Sequence, residues 1–175
     1  AEGDKTAAEQ HARAALGVMP DSVEALYELA RVERALGQDQ RAGATLRLAL
    51  DRDSKHLPSL LGLATLHAVR KEHEAAKLYF DRALAIAPNN AEVLYNVAIW
   101  HLQDQDTGAA IHRLEQALRA APQHGEAHYV LGKLLDEAGD AEGARAHLVA
   151  ARQLLLGPPQ RIADIDRRLQ RLDSP

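Results

Sequence analysis

The sequence predicts an all-α chain built from antiparallel helix pairs, and three observations carry that prediction. Four segments, "VEALYELARV" from Val23, "LPSLLGLATL" from Leu57, "AEVLYNVAIW" from Ala91 and "GEAHYVLGKL" from Gly125, each begin 34 residues after the last and read as opening turns of an amphipathic helix. Two columns on the same period hold alanine without exception: Ala8, Ala42, Ala76, Ala110 and Ala144, then Ala15, Ala49, Ala83, Ala117 and Ala151. Aromatic residues make up only 3% of the 175-residue chain, so its core must be packed mainly from Ala and Leu, which suits closely apposed helices better than a sheet.

Each unit breaks twice. The first break falls near Gly37, at Lys71 to Glu72, at Gln105 to Asp106 and at Gly139 to Asp140, where a tight helix-helix turn fits. The second falls at "MPDS", "RDSK", "APNN" and "APQH", where Pro cannot continue a helix and Asp, Asn or Ser can cap the next. A unit is therefore two helices of about 14 residues, neither able to bury its apolar face alone. Alanine recurs where two axes approach closely; the smaller column Ala30, Ala64, Ala98 and Gly132 marks the facing contact, with Leu29, Leu63, Val97 and Leu131 packing beside it.

In chain order, residues 1–22 supply a second helix, Lys5 to Val18, whose first helix would lie before Ala1. Full units follow over residues 23–56, 57–90, 91–124 and 125–158. Residues 159–175 supply a capping helix whose apolar stripe is Ile162, Ile165, Leu169 and Leu172, with Asp164, Asp166, Arg167, Arg168 and Arg171 mostly off it. The half unit at the start predicts either a parent protein that continues upstream or another surface over this edge, and the cap predicts a natural C-terminal end.

With these residues in view, the chain resembles the tetratricopeptide repeat family. The family's alanines match the columns above, its large apolar slot on the second helix matches Leu46, Phe80, Leu114 and Leu148, and its terminal proline matches Pro20, Pro88 and Pro122. Departures are modest: His67 and His101 stand where Tyr is common, His128 where Trp or Leu is, and Ser54 replaces a proline. The resemblance implies a right-handed superhelical solenoid of four full repeats, a leading half repeat and a C-terminal capping helix.

Bulk composition narrows the function. A net charge of -4 and a pI near 6.1 lack the basic excess of a nucleic-acid footprint. No run of 18 or more apolar residues predicts direct membrane insertion, and "AEGDKTAAEQ" has neither the basic start nor the apolar middle of a signal peptide. Zero cysteines exclude disulfides, thiolate zinc sites and a cysteine nucleophile. Sixteen Arg against five Lys, with abundant Ala, Leu and Gly, point to a GC-rich coding sequence and a bacterial source. A soluble chain, cytoplasmic or periplasmic, is the expectation, and the choice of compartment stays open.

No constellation of reactive side chains converges in the sequence. His124 and His128 in "HGEAH" have the i, i+4 spacing of a metal pair, but no third ligand is evident and His124 falls in a turn, so no metal or other cofactor is assigned. The serines lie at caps, a helix start or the tail, no G-x-S-x-G or glycine-rich phosphate loop exists, and adjacent Asp136 and Glu137 diverge on a helix. No catalytic residue is assigned.

What remains is a surface. The resemblance implies that the first helices line the concave side of the superhelix and bind peptides there. It places Tyr27, Leu61, Tyr95 and Tyr129 on that surface, joined by Ile99, Leu102 and Thr65, with Arg31 and Arg34 toward one end and Lys133, Asp136 and Glu137 toward the other. Such a strip suits an amphipathic helix or an extended peptide with a few apolar anchors. Members that clamp a chaperone's terminal carboxylate use Lys, Arg and Asn near slots held here by Glu24, Glu28, Pro58, Gly62, Glu92, Asn96, Glu126 and Val130, and four glutamates would repel that ligand. The expected function is a protein-interaction scaffold for a protein or peptide partner; the alternatives are homo-oligomer formation and a regulatory or anchoring segment of an enzyme. Trp100, five residues past Tyr95, is expected to turn away from the Tyr side into the core.

Overall fold

The computed structural model describes the backbone of residues 2–155 and 158–173, and within that span all side chains except those of residues 2–6, 8 and 15. Ala8 and Ala15, the first members of the alanine columns, thus lie outside the described side chains. The described residues form helices α1 (Glu2–Val18), α2 (Val23–Ala35), α3 (Asp39–Arg52), α4 (Leu57–Val69), α5 (His73–Ile86), α6 (Ala91–Gln103), α7 (Thr107–Ala120), α8 (Gly125–Glu137), α9 (Ala141–Leu154) and α10 (Pro159–Leu172), with no strand among them. They divide into two compact units, Ala1–Ala87 and Pro88–Pro175.

In the first unit α2 pairs with α3 and α4 with α5, and α1 packs on α2. Ala30, Ala42 and Ala49 lose all solvent exposure in one pair, and Ala64, Ala76 and Ala83 do so in the other. Larger side chains, Leu46 and Phe80, fill the space beside these contacts and are themselves buried. The second unit repeats the arrangement with α6 on α7, α8 on α9 and α10 against α9. Ala98, Ala110 and Ala117 are fully buried, as are Ala144 and Ala151.

A close approach can be read at Gly132 on α8. A Cβ there would sit 2.9 Å from Leu148 Cγ, 3.1 Å from the Leu148 backbone N and 3.2 Å from the Ala144 carbonyl oxygen. The last two atoms are backbone and cannot swing aside, so this pair tolerates only glycine where the others hold alanine.

The turn inside each pair reuses one backbone device. Gly37, Lys71, Gln105 and Gly139 all adopt positive φ, at 74°, 60°, 61° and 85°. The amide of the next residue closes the turn onto a carbonyl five residues earlier: Gln38 to Glu33, Glu72 to His67, Asp106 to His101 and Asp140 to Leu135. Only two of the four are glycines, so Lys71 and Gln105 hold a left-handed conformation that disfavours a Cβ. At the turns between pairs, Ser22 and Asn90 cap α2 and α6 by accepting backbone amides, and His124 Nδ1 accepts from the Ala127 amide at the start of α8.

Trp100 departs from expectation. It is half-buried rather than enclosed, with its ring centroid 5.1 Å from that of His101. The same slot in α4 and α8 encloses Leu66 and Leu134. The counterpart in α2, Val32, is half-buried as well, so the slot is not equally deep in every repeat.

Replacing Lys71 by Gly should raise stability by roughly 0.5–1 kcal/mol, because the left-handed turn then carries no Cβ; Gly37→Ala should lower it by a similar amount. Urea denaturation of the two variants checks this, and a loss on Lys71→Gly would mean that the lysine side chain holds the turn.

Candidate functional site

The first helices of the pairs, α2, α4, α6 and α8, carry every residue that the sequence places on a binding surface. In the first unit, Tyr27 on α2 is half-buried, with its ring edge-on to His56 at 5.6 Å. His56 Nδ1 lies 2.8 Å from the Ser59 hydroxyl, so the ring that Tyr27 meets is itself held at the start of α4. Leu61 and Thr65 on α4 are half-buried, and the Thr65 hydroxyl donates to the Leu61 carbonyl at 2.8 Å, which commits its proton to the helix backbone. Arg31 is exposed and paired with Glu28 at 2.8 Å. Arg34 is exposed and has no carboxylate within ion-pair distance among the described residues.

These two arginines border an open cleft of ≈ 360 Å³ whose other walls are Ala35, Asp39, Leu66 and Val69. Leu66 is buried and forms the floor, whereas Val69 is 61% exposed at the rim. The cleft therefore offers two cations beside an apolar surface.

In the second unit, Tyr95 and Leu102 on α6 pack against the buried cluster Ala98, Ala110, Leu114, Ala127, Leu131 and Leu134. Tyr95 lies 4.9 Å from the His124 ring, and burial, with help from Glu126, pushes its phenol above the ordinary range. Ile99 is half-buried on the same helix. Tyr129 on α8 packs with Leu155, Leu169 and Leu172 around Leu148, Ala151 and Ile165. Its hydroxyl donates to Asp164 at 3.0 Å, and the Arg161 guanidinium lies 5.5 Å over its ring. Lys133 reaches Glu137 at 4.0 Å. The structure thus gives Tyr95, Leu102 and Tyr129 a packing role between successive helices, leaving only an edge of each to solvent.

The sequence places Asp136 as a charged flank of the surface, and the structure corrects this. Its side chain is only 3% exposed, and it accepts from Arg168 at 2.6 Å and from Arg171, both on α10. Arg168 also reaches Glu137 and Asp164, and Arg161 pairs with Glu126. Desolvation works against the charged form of Asp164, yet hydrogen bonds from Arg168 and Tyr129 and the nearby charges of Arg168 and Arg167 hold its carboxyl below the usual range. The sequence signal for this network is the arginine content of α10, which reads equally well as a solvated face.

Among the described residues no three His, Asp or Glu side chains come together where they could hold a metal ion. His128 and His147 do meet, Nδ1 to Nδ1 at 2.9 Å, joining α8 to α9. His128 Nε2 lies 3.0 Å from the Pro122 carbonyl, which can only accept, so Nε2 carries the proton and the Nδ1 lone pair receives the Nδ1 proton of His147. Burial, then the neighbouring His128, lowers the pKa of His147 from its ordinary 6.5, against the weaker pull of Glu115 and Asp140.

Two family models of the tetratricopeptide repeat match the sequence, over residues 101–160 and 1–56. The chain belongs to the tetratricopeptide repeat family. Among curated proteins it is 25% identical over 140 residues to "Tetratricopeptide repeat protein 8" of Caenorhabditis elegans, covering 78% of this chain and 28% of that protein. A thermophilic tetratricopeptide repeat protein of Thermus thermophilus superposes with a TM-score of 0.82 at 21% identity, over 96% of this chain and 92% of that one. YrrB, described as having an unusual peptide-binding site, superposes at 0.63 with 16% identity, over 93% and 92% of the two chains. At these identities the likeness concerns fold. Tetratricopeptide repeats generally act as non-catalytic scaffolds that bind protein partners. No helix among the described residues is long and apolar enough to cross a membrane.

The His147 shift has a definite sign. A histidine whose folded pKa is depressed leaves stability unaffected above the unfolded value of 6.5 and costs stability as pH falls from there through the folded value. Acidifying from pH 7.5 to 5.5 should therefore lower the protection factors of amides in α8 and α9, that is, their exchange rates relative to the intrinsic rates at each pH, and His147→Gln should reduce that pH dependence. An equal fall in protection in the variant would show that another group titrates.

Proposed function

We propose that the protein is an interaction scaffold that takes a peptide or amphipathic helix of a partner on its first helices. The observation that carries this reading is the first unit's surface: half-buried Tyr27 on the same helix, α2, as the exposed Arg31 and Arg34, with half-buried Leu61 on α4, the helix that supplies the apolar floor of the cleft. Such a juxtaposition gives a partner apolar anchors for affinity and cations for orientation. A second support is α10, an amphipathic helix that the chain itself docks beside α8 through Asp136, Glu126 and Tyr129, so first helices of this sequence can hold a helix by mixed aromatic and ionic contacts. YrrB, a fold neighbour described as having a peptide-binding site, agrees with a peptide ligand. Ile99, Lys133 and the exposed edges of Tyr95, Leu102 and Tyr129 contribute a corresponding surface on the second unit.

The test is photo-crosslinking in a lysate of the source organism, with benzoylphenylalanine placed singly at Tyr27, Leu61 or Ile99 and, as controls, at Leu78 and Val149, exposed positions on second helices. The first three positions should capture a common partner protein and the controls should not. Adducts from the controls alone would move the working surface to the second helices, and adducts between copies of this chain alone would make it a self-association module.

A further inference from the structure

The cleft in the first unit and the ion cluster in the second occupy the same slots of the repeat. Helix α8 begins 102 residues after α2, and α10 begins 102 residues after α4, at Pro159 against Leu57. On that register Arg34 corresponds to Asp136, Leu66 to Arg168 and Val69 to Arg171. In the second unit these slots are closed: a nearly enclosed carboxylate, Asp136, is held by the two guanidinium groups of α10. In the first unit the charge is reversed and the closure is missing. The cation now stands on the first helix as Arg34, and the residues facing it, Leu66 and Val69, have nothing to offer a guanidinium.

We infer that this cleft is completed by a partner's Asp or Glu side chain, which pairs with Arg34 and the free edge of Arg31, while a neighbouring aliphatic side chain of the same segment covers Leu66 and Val69. This rests on the interaction-scaffold reading and specifies the partner's chemistry at one place on the surface. Three features support it. Arg34 makes no ion pair among the described residues, although Asp39 lines the same cleft and a guanidinium readily takes a bidentate carboxylate. The floor is apolar, and Val69 is among the most exposed large hydrophobic residues of the chain, so a purely ionic ligand would leave it uncovered. The cleft is open to solvent rather than enclosed, so a segment of a partner can reach Arg34 from outside. Arg34 also offsets the dipole at the end of α2, but that role asks nothing of Val69. Asp39 at the margin disfavours a second acidic group there, so one carboxylate beside one or two aliphatic residues is the expected motif.

Fluorescence anisotropy with short synthetic peptides tests this. The probe is an eight-residue peptide with one central Glu flanked by Leu in a Gly-Ser background, acetylated and amidated so that it has no terminal charge. It should bind the native chain, weaken as salt rises, and lose about tenfold or more in affinity for Arg34→Ala, whose exposed side chain can be truncated without opening the core. Val69→Glu, which sets a carboxylate inside the cleft, should also abolish binding. A capped Gln-Leu peptide should bind at least tenfold more weakly than the Glu-Leu probe. Equal binding of the two peptides, no effect of Arg34→Ala, or no saturable binding of the Glu-Leu probe would each overturn the inference. If an uncapped Gln-Leu peptide bound as tightly as the Glu-Leu probe, the site would read a chain terminus, and the assignment to a side chain would fail. Each of these failures would leave crosslinked partners at Tyr27, Leu61 or Ile99 intact, so the scaffold reading stands or falls separately.

Discussion

Everything in this molecule depends on two helices of a pair lying close enough that only alanine or glycine fits between them. Ala30, Ala42 and Ala49, with their counterparts one, two and three repeats on, are sealed from solvent, and at Gly132 even a methyl group would meet backbone atoms of α9. Close contact of this kind leaves little room for cavities, and the bulky residues, Leu46, Phe80, Leu114 and Leu148, fall into the space beside it. It also fixes which face of each first helix stays outside. The surface proposed to bind a partner is what remains once the small-residue face is used up.

That constraint explains what the sequence reveals. Small residues at a fixed period are visible without coordinates, because the slot tolerates so few substitutions, and the turns are visible because they demand Gly, Pro, Asp or Asn. Even so, Lys71 and Gln105 take the same left-handed turn as Gly37 and Gly139, and only the period, not the residue type, points to them. Trp100 shows the limit of such reasoning. Periodicity places it in the slot of Leu66 and Leu134, but carries no information about the depth of a slot, and Trp100, like its α2 counterpart Val32, stays half-buried.

The surface is less legible than the core, and for a physical reason. Exposed slots accept many residue types, so their roles depend on which side chains happen to face each other from successive helices. Asp136 reads in the sequence as a solvated charge, yet α10 encloses it; Tyr129 reads as a ligand contact, yet its hydroxyl is committed to Asp164. Conversely, the cleft beside Arg34 arises because two facing slots hold Leu66 and Val69 instead of charged partners, a mismatch that appears only when α2 and α4 are set side by side. One repeat geometry thus yields a closed ionic cluster at one place and an open, cationic, apolar-floored cleft at another. Variation in a few exposed slots changes the surface while alanine holds the scaffold constant.

The most direct measurement of this account compares the same substitution at two positions of one helix, Ala117→Val in the small-residue contact and Ala120→Val on the exposed side of α7. Urea denaturation should show Ala117→Val less stable than Ala120→Val by about 1–3 kcal/mol, the scale of forcing extra methyl groups into a packed core. Equal stability of the two variants would contradict the claim that close helix approach at the alanine slots holds the fold together.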